Sequence, residues 1–209
     1  MPKINAQYEE SQQKKIMGGA ARIFAARGYN PTTLDQICQE LKLSKGAIYV
    51  YFKNKEDLFV SVLRSIYDQR FVSLSRAFEE DDPITQKFEK ILNRLGGLVD
   101  EEDFVFMRLW LQGFLECEHI PALIAIKTKS RQNFKTLISD LLKQGQEQGE
   151  INPDLNISSL SDGLMAISDG LMLHSLVQGW GMDAARVRSV ISDTFTPLLS
   201  QQNHSASNQ

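Results

Sequence analysis

Basic and aromatic side chains are concentrated in one short stretch near the amino terminus. Between Glu40 and Glu56 the chain has no carboxylate, and it carries four lysines there: Lys42, Lys45, Lys53 and Lys55. Tyr49 and Tyr51 are interleaved with these lysines. Lysine ammonium groups neutralise phosphates, and no carboxylate within the stretch would repel them, so the composition favours contact with a polyanion. This stretch is the first candidate for a nucleic-acid binding site.

A second run combines residue types that bind metals or act as nucleophiles. Cys117, Glu118 and His119 follow one another, but a metal site or a nucleophilic pair needs partners elsewhere, and the sequence offers no second half. It also lacks a Ser/His/Asp set, paired histidine ligands and a glycine-rich phosphate loop. We therefore predict no metal, no cofactor and no enzymatic activity. The alternatives are a helical enzyme or a helical adaptor domain that does not bind DNA.

Cysteine content and hydropathy bear on the compartment. Two cysteines, Cys38 and Cys117, are too few for a disulfide framework and are typical of reduced thiols in the cytosol. The amino terminus lacks the apolar segment of a signal peptide, and no run of about 18 apolar residues is present. We expect a cytoplasmic protein without a membrane partner.

Charge is unevenly distributed along the 209 residues, whose net charge is −3. Residues 1–60 contain nine Lys/Arg and six Asp/Glu, whereas residues 61–209 contain fourteen and twenty. A weakly basic head on an acidic body predicts a polyanionic partner at the head only.

Hydrophobic periodicity is helical almost throughout, and no alternating run is long enough for a strand, so the sequence predicts an all-α chain. The first three predicted helices are residues 8–27, residues 34–41 and, after a cap at Ser44, residues up to about 51. Thr32 or Thr33 can cap the second helix. Only residues 42–44 separate the second helix from the third, and so short a turn predicts the steep crossing of a helix-turn-helix.

The third predicted helix has two different faces. At 100° per residue, Ile48 and Phe52 lie one turn apart and are expected to point into the core. The opposite side carries small, uncharged and aromatic residues that suit a groove: Gly46, Ala47, Val50 and Tyr51, with Lys45 and Tyr49 at its edges.

The stretch GYNPTTLDQICQELKLSKGAIYVYFKNKEDLF resembles the DNA-binding domain of the TetR (tetracycline-repressor) family of bacterial regulators. The matching positions are Gly28, Thr32, Thr33, Ile37, Ser44, Gly46, Ile48, Tyr49, Tyr51, Phe52, Lys55 and Leu58. The resemblance implies double-stranded operator DNA as a partner, contacted by Thr32, Thr33, Lys42, Ser44, Lys45, Gly46, Ala47, Tyr49, Val50, Tyr51 and Lys55. Lys42 stands where this family usually has glycine, and a left-handed lysine there would cost about 1 kcal/mol over glycine.

The body of the chain is also predicted to be helical. Its predicted helices are residues 55–78, 83–101, from 103 to before Pro121, 121–148, 157–178 and 183–199, with Asp82 as a cap. The predicted organisation is a DNA-binding domain at residues 1–53, an effector-binding and dimerisation domain at residues 54–200 and a flexible polar tail at residues 201–209.

The last two predicted helices are apolar on more than one face. A helix of a small domain needs a single buried stripe, so a second stripe predicts a partner, most simply an identical chain. The predicted dimer-interface residues are Leu160, Leu164, Ile167, Leu171, Val187, Ile191, Phe195 and Leu198. A homodimer predicts a palindromic operator, because one short recognition helix reads only a few base pairs.

An aromatic-rich helix supplies the predicted wall of an effector pocket. Its residues Phe104, Met107, Trp110, Leu111 and Phe114 are expected to face Phe134, Ile138, Met165, Asp169 and Met172. This lining favours a small, largely apolar effector, with Glu116, Glu118 and Asp169 leaving room for a cationic group. The sequence Asp169-Gly170-Leu171 also resembles the betaine-responsive subgroup of the TetR family. The family resemblance implies that an effector moves the fourth helix and releases the repressor from DNA.

Overall fold

The computed structural model describes residues 2–77, 79–96, 101–177, 185–186, 189–190 and 192–194. These residues form eight α-helices and contain no strand, which confirms the all-α fold class. The helices are α1 Pro2–Arg27, α2 Leu34–Leu41, α3 Lys45–Tyr49, α4 Lys55–Ser75, α5 Ile84–Gly96, α6 Glu101–Leu115, α7 Pro121–Glu147 and α8 Ile157–Ser175. None of the helices in these ranges is long and apolar enough to cross a membrane.

The observed helix boundaries agree best with the predicted ones where a capping side chain marks the end of the helix. Helix α2 has the predicted bounds, and α4 begins after Asn54, whose Oδ1 accepts a 2.8 Å hydrogen bond from the Asp57 N–H. Asp82 Oδ2 accepts hydrogen bonds from the Glu79 N–H, at 2.8 Å, and from Lys90 Nζ, at 2.6 Å, and its role as the cap of α5 stays a prediction. Within the predicted ninth helix only residues 185–186, 189–190 and 192–194 are described, and the polar tail at 201–209 lies outside the described residues.

The chain divides into two compact units. The first unit comprises Met1–Gln69 and Glu101–Thr128, and the second comprises Arg70–Asp100 and Lys129–Gln209. The first unit continues past residue 53, because Leu58 and Phe59 of α4 are fully buried in its core. A functional boundary at residue 53 stays a prediction.

Aromatic rings fill the centre of the first unit. The ring of Phe59 packs edge-on against Phe24, with 5.1 Å between centroids, and lies 4.4 Å from the ring of Tyr29. Gly19 lies where α1 meets Leu41, whose side chain would overlap a Cβ built at this glycine. The absence of that Cβ lets the end of α2 approach α1 closely and offsets the low helix propensity of glycine.

The second unit has a separate core. Its buried residues are aliphatic or aromatic side chains of α4, α5, α7, α8 and the loop before α8: Leu74, Ile84, Phe88, Ile91, Ile138, Leu141, Leu142, Ile151, Leu164 and Leu171. Asp162 links α7 to α8 on the surface of this unit, because it pairs with Lys135 at 2.7 Å and with Arg131 at 3.3 Å.

Candidate nucleic-acid interface

The turn between α2 and α3 is built around a left-handed residue. Lys42 has φ 53° and ψ 42°, and its N–H donates to the main-chain oxygens of Cys38 and Gln39. The Leu43 N–H donates a 2.9 Å hydrogen bond to the Cys38 oxygen. These bonds satisfy carbonyls that a helix end leaves without partners. The predicted left-handed lysine is confirmed.

Hydroxyl side chains cap both helices of the motif. Thr33 Oγ1 accepts a 3.3 Å hydrogen bond from the Gln36 N–H, and Gln36 Oε1 accepts a 2.8 Å bond from the Thr33 N–H, which completes a capping box. Ser44 Oγ accepts a 3.2 Å bond from the Ala47 N–H at the start of α3. Of the two threonines that could cap α2, Thr33 is therefore the cap.

The side chain of Thr32 has a different role. It is fully buried, and its Oγ1 donates a 2.6 Å hydrogen bond to the Gly28 oxygen. This bond closes the loop between α1 and α2, so the hydroxyl faces the protein and not the solvent.

The two faces of α3 and of residues 50–52, which follow it, are as predicted. Ile48 and Phe52 are buried, with 0% and 1% of their surface exposed, whereas Tyr49 and Val50 are 54% and 75% exposed. Gly46 is exposed as well, and Ala47 and Tyr51 are half-buried. An exposed valine and tyrosine on a short helix beside a buried isoleucine and phenylalanine form an apolar ridge that can enter a groove of DNA.

Lys45 at the edge of this ridge is paired with a carboxylate of α2. Its Nζ donates a 2.8 Å hydrogen bond to Asp35, and this hydrogen bond, with the nearby charge, raises the pKa of Lys45. Both side chains are mostly exposed, so a phosphate can exchange with the carboxylate at little cost. Sequence reasoning missed Asp35, because it lies before the carboxylate-free stretch and only the crossing of α2 and α3 brings it to Lys45.

Lys55 links the start of α4 to the loop between α1 and α2. Its Nζ donates hydrogen bonds to the main-chain oxygens of Tyr29, at 2.9 Å, and Asn30, at 3.3 Å. The ammonium also lies 4.2 Å from the centroid of the Tyr29 ring. Burial raises the pKa of the Tyr29 hydroxyl. The predicted phosphate contact of Lys55 stays a prediction. The ammonium retains a third N–H that can donate a hydrogen bond to a phosphate.

Two polar side chains of α6, and that of Glu116 directly after its end, contact the end of α1 and the loop that follows it. Arg108 donates a 3.0 Å hydrogen bond to the Ala25 oxygen, and Gln112 donates a 2.8 Å bond to the Phe24 oxygen. Glu116 accepts a 2.6 Å bond from the Asn30 side-chain amide. Sequence reasoning missed this set, although residues 108, 112 and 116 form a polar stripe at a spacing of four on an aromatic helix.

The residues predicted to line an effector pocket belong to both units. On α6, in the first unit, Met107 is buried, Trp110 and Leu111 are half-buried, and Phe104 and Phe114 are exposed. In the second unit, Ile138 and Met165 are buried, whereas Phe134, Asp169 and Met172 are half-buried. A pocket that joins the two sets stays a prediction.

The residues predicted to form a dimer interface fall into two groups. Leu164 and Leu171 are buried in the core of the second unit, with Leu160 and Ile167 packed against it. This burial corrects the interpretation of Leu164 and Leu171 as interface residues, because the chain's own α5 and α7 side chains already cover them. Val187, Ile191, Phe195 and Leu198 lie outside the described residues.

Cys117, the first residue of the run at 117–119, is hydrogen-bonded to the main chain. Cys117 Sγ donates a 3.1 Å hydrogen bond to the Gly113 oxygen within the last turns of α6. Throughout the described ranges, no group of three or more His, Cys, Asp or Glu side chains could hold a metal ion.

Two family matches span much of the sequence. Residues 16–62, which contain the helix-turn-helix, match the bacterial regulatory proteins of the tetR family. Residues 91–200 match the C-terminal part of BetI-type transcriptional repressors, and this match covers more than half of the chain. The chain belongs to the TetR family. It is therefore a DNA-binding transcriptional regulator, and the predicted family and functional class are confirmed.

Relatives and solved structures agree with this assignment. The HTH-type transcriptional regulator YuxN of Bacillus subtilis is 35% identical over 101 residues, which are 48% of this chain and 35% of that protein. The HTH-type transcriptional repressor BepR of Brucella suis is 26% identical and is matched over 88% of both chains. A transcriptional regulator from Saccharomonospora viridis in complex with choline has the same fold, with a TM-score of 0.83, 22% identity and coverage of 92% of this chain and 100% of that one.

Proposed function

We propose that this TetR-family regulator is a homodimeric repressor that binds a palindromic operator and leaves it when a small effector binds. The observation that carries the DNA part is the exposed ridge of Tyr49, the last residue of α3, and Val50, its cap, held in place by buried Ile48 and Phe52. Lysines surround this ridge and supply the sequence-independent attraction to phosphate. The protein acts in the cytoplasm, where bacterial DNA is located.

The length of α3 supports a dimer. A helix of five residues is only about 7.5 Å long, so it contacts few base pairs. Two such helices spaced by about 34–36 Å, one turn of DNA, read enough sequence for a specific site.

One face of α8 supports the same assembly. Leu173 of α8 and Val177, which lies two residues past the end of α8, are 45% and 39% exposed. Ala166 lies on the same side of the helix two turns before Leu173. Gly163 and Gly170 continue this face, and a Cβ at either would meet no atom within 4 Å. Small residues and exposed aliphatic residues along one helical stripe suit close packing against the same helix of a second chain. This stripe replaces Leu164 and Leu171 in the proposed interface.

The effector part rests on the family and on α6. The related regulator from Saccharomonospora viridis binds choline, which supports a small molecule as the effector here. The α6 helix carries the aromatic residues of the predicted pocket wall, and the same helix is hydrogen-bonded to the end of α1 through Arg108 and Gln112. A ligand that displaces α6 therefore acts directly on the helix that leads into the DNA-binding motif.

The required coupling is small. An effector releases DNA only if it binds the displaced state better than the DNA-bound state. A tenfold loss of operator affinity needs a difference of about 1.4 kcal/mol. No catalytic step is part of this function, and a helical enzyme or an adaptor remains the competing class.

Fluorescence anisotropy with DNA from upstream of the protein's own gene tests the DNA-binding proposal. We expect binding that weakens steeply as salt rises, because phosphate contacts release counterions. Val50→Glu should abolish binding, since it places a carboxylate on the exposed ridge, whereas Glu147→Gln at the end of α7 should leave binding unchanged. Binding that does not depend on salt, or that Val50→Glu leaves intact, would favour the adaptor class.

Sedimentation velocity tests the dimer. We expect the unmodified protein to be a dimer at micromolar concentration and Leu173→Glu to be a folded monomer that binds the operator weakly. Ser158→Glu, an exposed position in the first turn of α8, is the matched control and should remain dimeric. A monomeric unmodified protein would contradict the proposed assembly.

A further inference from the structure

An ion pair joins the two helices of the helix-turn-helix beside the exposed ridge. Asp35, in the first turn of α2, accepts a 2.8 Å hydrogen bond at Oδ2 from the Nζ of Lys45, the first residue of α3. Lys45 lies one turn before Tyr49, so the pair adjoins the ridge on the same side of α3. The side chains of Asp35 and Lys45 are 65% and 63% exposed, which leaves the pair accessible to a partner.

Helix stability explains the carboxylate of this pair but not the ammonium. A carboxylate in the first turn of a helix interacts favourably with the helix dipole, whereas a cation there is unfavourable. An exposed ion pair also contributes little to folding. On a surface that meets DNA, a carboxylate repels the phosphates and lowers affinity. Asp35 therefore weakens DNA binding unless its oxygens meet a hydrogen-bond donor on the DNA.

The hydrogen bond between the two side chains leaves both of them with further capacity. A lysine ammonium has three N–H donors, and the bond to Asp35 uses one of them. An ionised carboxylate has about four lone-pair positions, and one donor occupies only one of these. The pair thus presents a donor and an acceptor side by side, with 2.8 Å between Lys45 Nζ and Asp35 Oδ2.

A guanine–cytosine base pair presents the complementary arrangement in the major groove. Guanine O6 is an acceptor and cytosine N4 is a donor, and the hydrogen bond between them is about 2.9 Å long. Lys45 Nζ can donate to guanine O6 while cytosine N4 donates to Asp35, and the ion pair does not have to open. Adenine also offers a donor, but its N7 acceptor lies beside that donor and repels a carboxylate, and the methyl group of thymine crowds the ammonium.

We propose that Asp35 and Lys45 act together as a specificity-determining pair that reads one guanine–cytosine base pair in each half of the operator. Lys45 contacts the guanine, and Asp35 contacts the cytosine. The inference rests on the proposed function, because it requires α3 to enter the major groove of an operator. It differs from the exchange of Asp35 for a phosphate, in which the pair opens and Lys45 carries no sequence information.

Selection of bound sequences from a pool of random double-stranded DNA measures this specificity without a known operator. The DNA that the full chain retains is sequenced, and fluorescence anisotropy then gives the affinity for the recovered sequence and for each of its single-base-pair substitutions. We expect the parent protein to prefer guanine–cytosine at one position of each half-site by about tenfold or more over the other base pairs.

Removal of the Asp35 carboxylate should relax this one position. Asp35→Ala should reduce the preference to about threefold or less, because alanine accepts no hydrogen bond from cytosine. Asp35→Asn should admit adenine in place of cytosine, because an amide bonds to both N6 and N7 of adenine. Asparagine has nearly the shape of aspartate, so this variant also separates lost recognition from a disturbed helix.

Glu40→Ala is the matched control for charge. Glu40 is also a carboxylate of α2, and it pairs with Arg27 at 2.6 Å. Both alanine variants should bind DNA of random sequence more tightly than the parent, because each removes one negative charge. Only Asp35→Ala should change the preference for a base pair.

Lys45→Gln tests whether the two side chains act as a unit. It should relax the same base pair as Asp35→Ala, and the double variant should be no less selective than the less selective single variant, because residues that share one interaction are not additive. A loss of affinity in Lys45→Gln that is equal for every base pair at this position would assign Lys45 to a phosphate and overturn the inference.

The outcomes separate the inference from the proposed function. A base preference that is identical in the parent and Asp35→Ala proteins, or that changes equally in Glu40→Ala, would overturn the inference alone. A recovered motif without an inverted repeat would overturn the palindromic dimer, while relaxation of that motif by Asp35→Ala would still support the inference. Recovery of no motif by the parent protein would overturn both.

Discussion

The guanidinium of Arg108 donates a 3.0 Å hydrogen bond to the main-chain oxygen of Ala25. Ala25 lies in the last turn of α1, where helix geometry leaves carbonyls without partners inside the helix. One turn further along α6, Gln112 bonds to the Phe24 oxygen, which also accepts from the Gly28 N–H. Both contacts join a side chain of α6 to a main-chain oxygen of α1, but we expect their removal to change the free energy of unfolding by different amounts.

Arg108→Met should lower the free energy of unfolding by about 1 kcal/mol, because it removes a charged donor from a helix-end carbonyl. Gln112→Met should change the free energy of unfolding by less, because the Phe24 oxygen keeps its hydrogen bond from the Gly28 N–H. The substitution also removes the buried Gln112 Oε1, which has no hydrogen-bond partner among the described residues. Urea denaturation of the two variants measures the difference. A larger loss in Gln112→Met than in Arg108→Met would contradict this assignment.

The two faces of α3 should respond differently to truncation. Tyr49→Ala should weaken operator binding and leave the melting temperature nearly unchanged, because Tyr49 is exposed. Phe52→Ala should destabilise the protein by about 3–5 kcal/mol through lost core packing. Circular dichroism melts combined with anisotropy titrations test both variants, and equal loss of stability in the two would refute the face assignment.

The left-handed turn residue should favour glycine. The free energy of unfolding of the Lys42→Gly variant should be about 1 kcal/mol higher than that of Lys42→Ala, since only glycine adopts φ 53° without a Cβ penalty. If Lys42 contacts a phosphate as expected, both variants should also lower the slope of log affinity against log salt by about 0.9. Chemical denaturation and anisotropy at several salt concentrations report the two effects separately. Equal stability of the glycine and alanine variants would show that the turn relaxes.

Lys55 should contribute to stability and to DNA binding at once. Lys55→Met removes two hydrogen bonds to the α1–α2 loop and should cost about 1 kcal/mol of unfolding free energy. Its third donor is expected to contact phosphate, so the salt slope should also fall by about 0.9. A salt slope equal to that of the parent protein, with stability reduced, would assign Lys55 to the loop alone.

The stabilisation that the ion pairs of Asp162 provide between α7 and α8 should depend on pH. The hydrogen bond from Lys135, with smaller contributions from the charges of Lys135 and Arg131, holds the pKa of Asp162 below its usual value of 3.8. A lowered pKa in the folded state means that this stabilisation is present above about pH 4. It is lost as the pH falls through the folded-state value. Asp162→Asn should therefore narrow the difference in melting temperature between pH 7 and pH 3, whereas Asp154→Asn, in the exposed loop before α8, should not.

Local signals in the sequence were sufficient for the helix-turn-helix. The bounds of α2 and the cap at Ser44 depend on residues within about four positions of each other, and the same local signals narrowed the cap of α2 to Thr32 or Thr33. The left-handed Lys42 was implied by the family resemblance. The burial of Ile48 and Phe52 also follows from helical periodicity alone. The same reasoning predicted the family, because its motif consists of these local features in a fixed order.

The contacts that join α6 to the DNA-binding motif were decided by the tertiary structure. Arg108 and Ala25 are 83 positions apart, and Gln112 and Phe24 are 88 apart. No periodicity or capping rule relates residues at such separations, because the meeting of two helices depends on how their side chains pack.

The apolar faces of α8 show the same division. The sequence correctly indicates more apolar surface on this helix than one stripe requires, but periodicity cannot say which stripe faces the chain's own core. The tertiary structure buries Leu164 and Leu171 and leaves Leu173 and Val177 exposed. The choice follows from where α5 and α7 supply complementary side chains, which is a property of the packed helices and not of α8 itself.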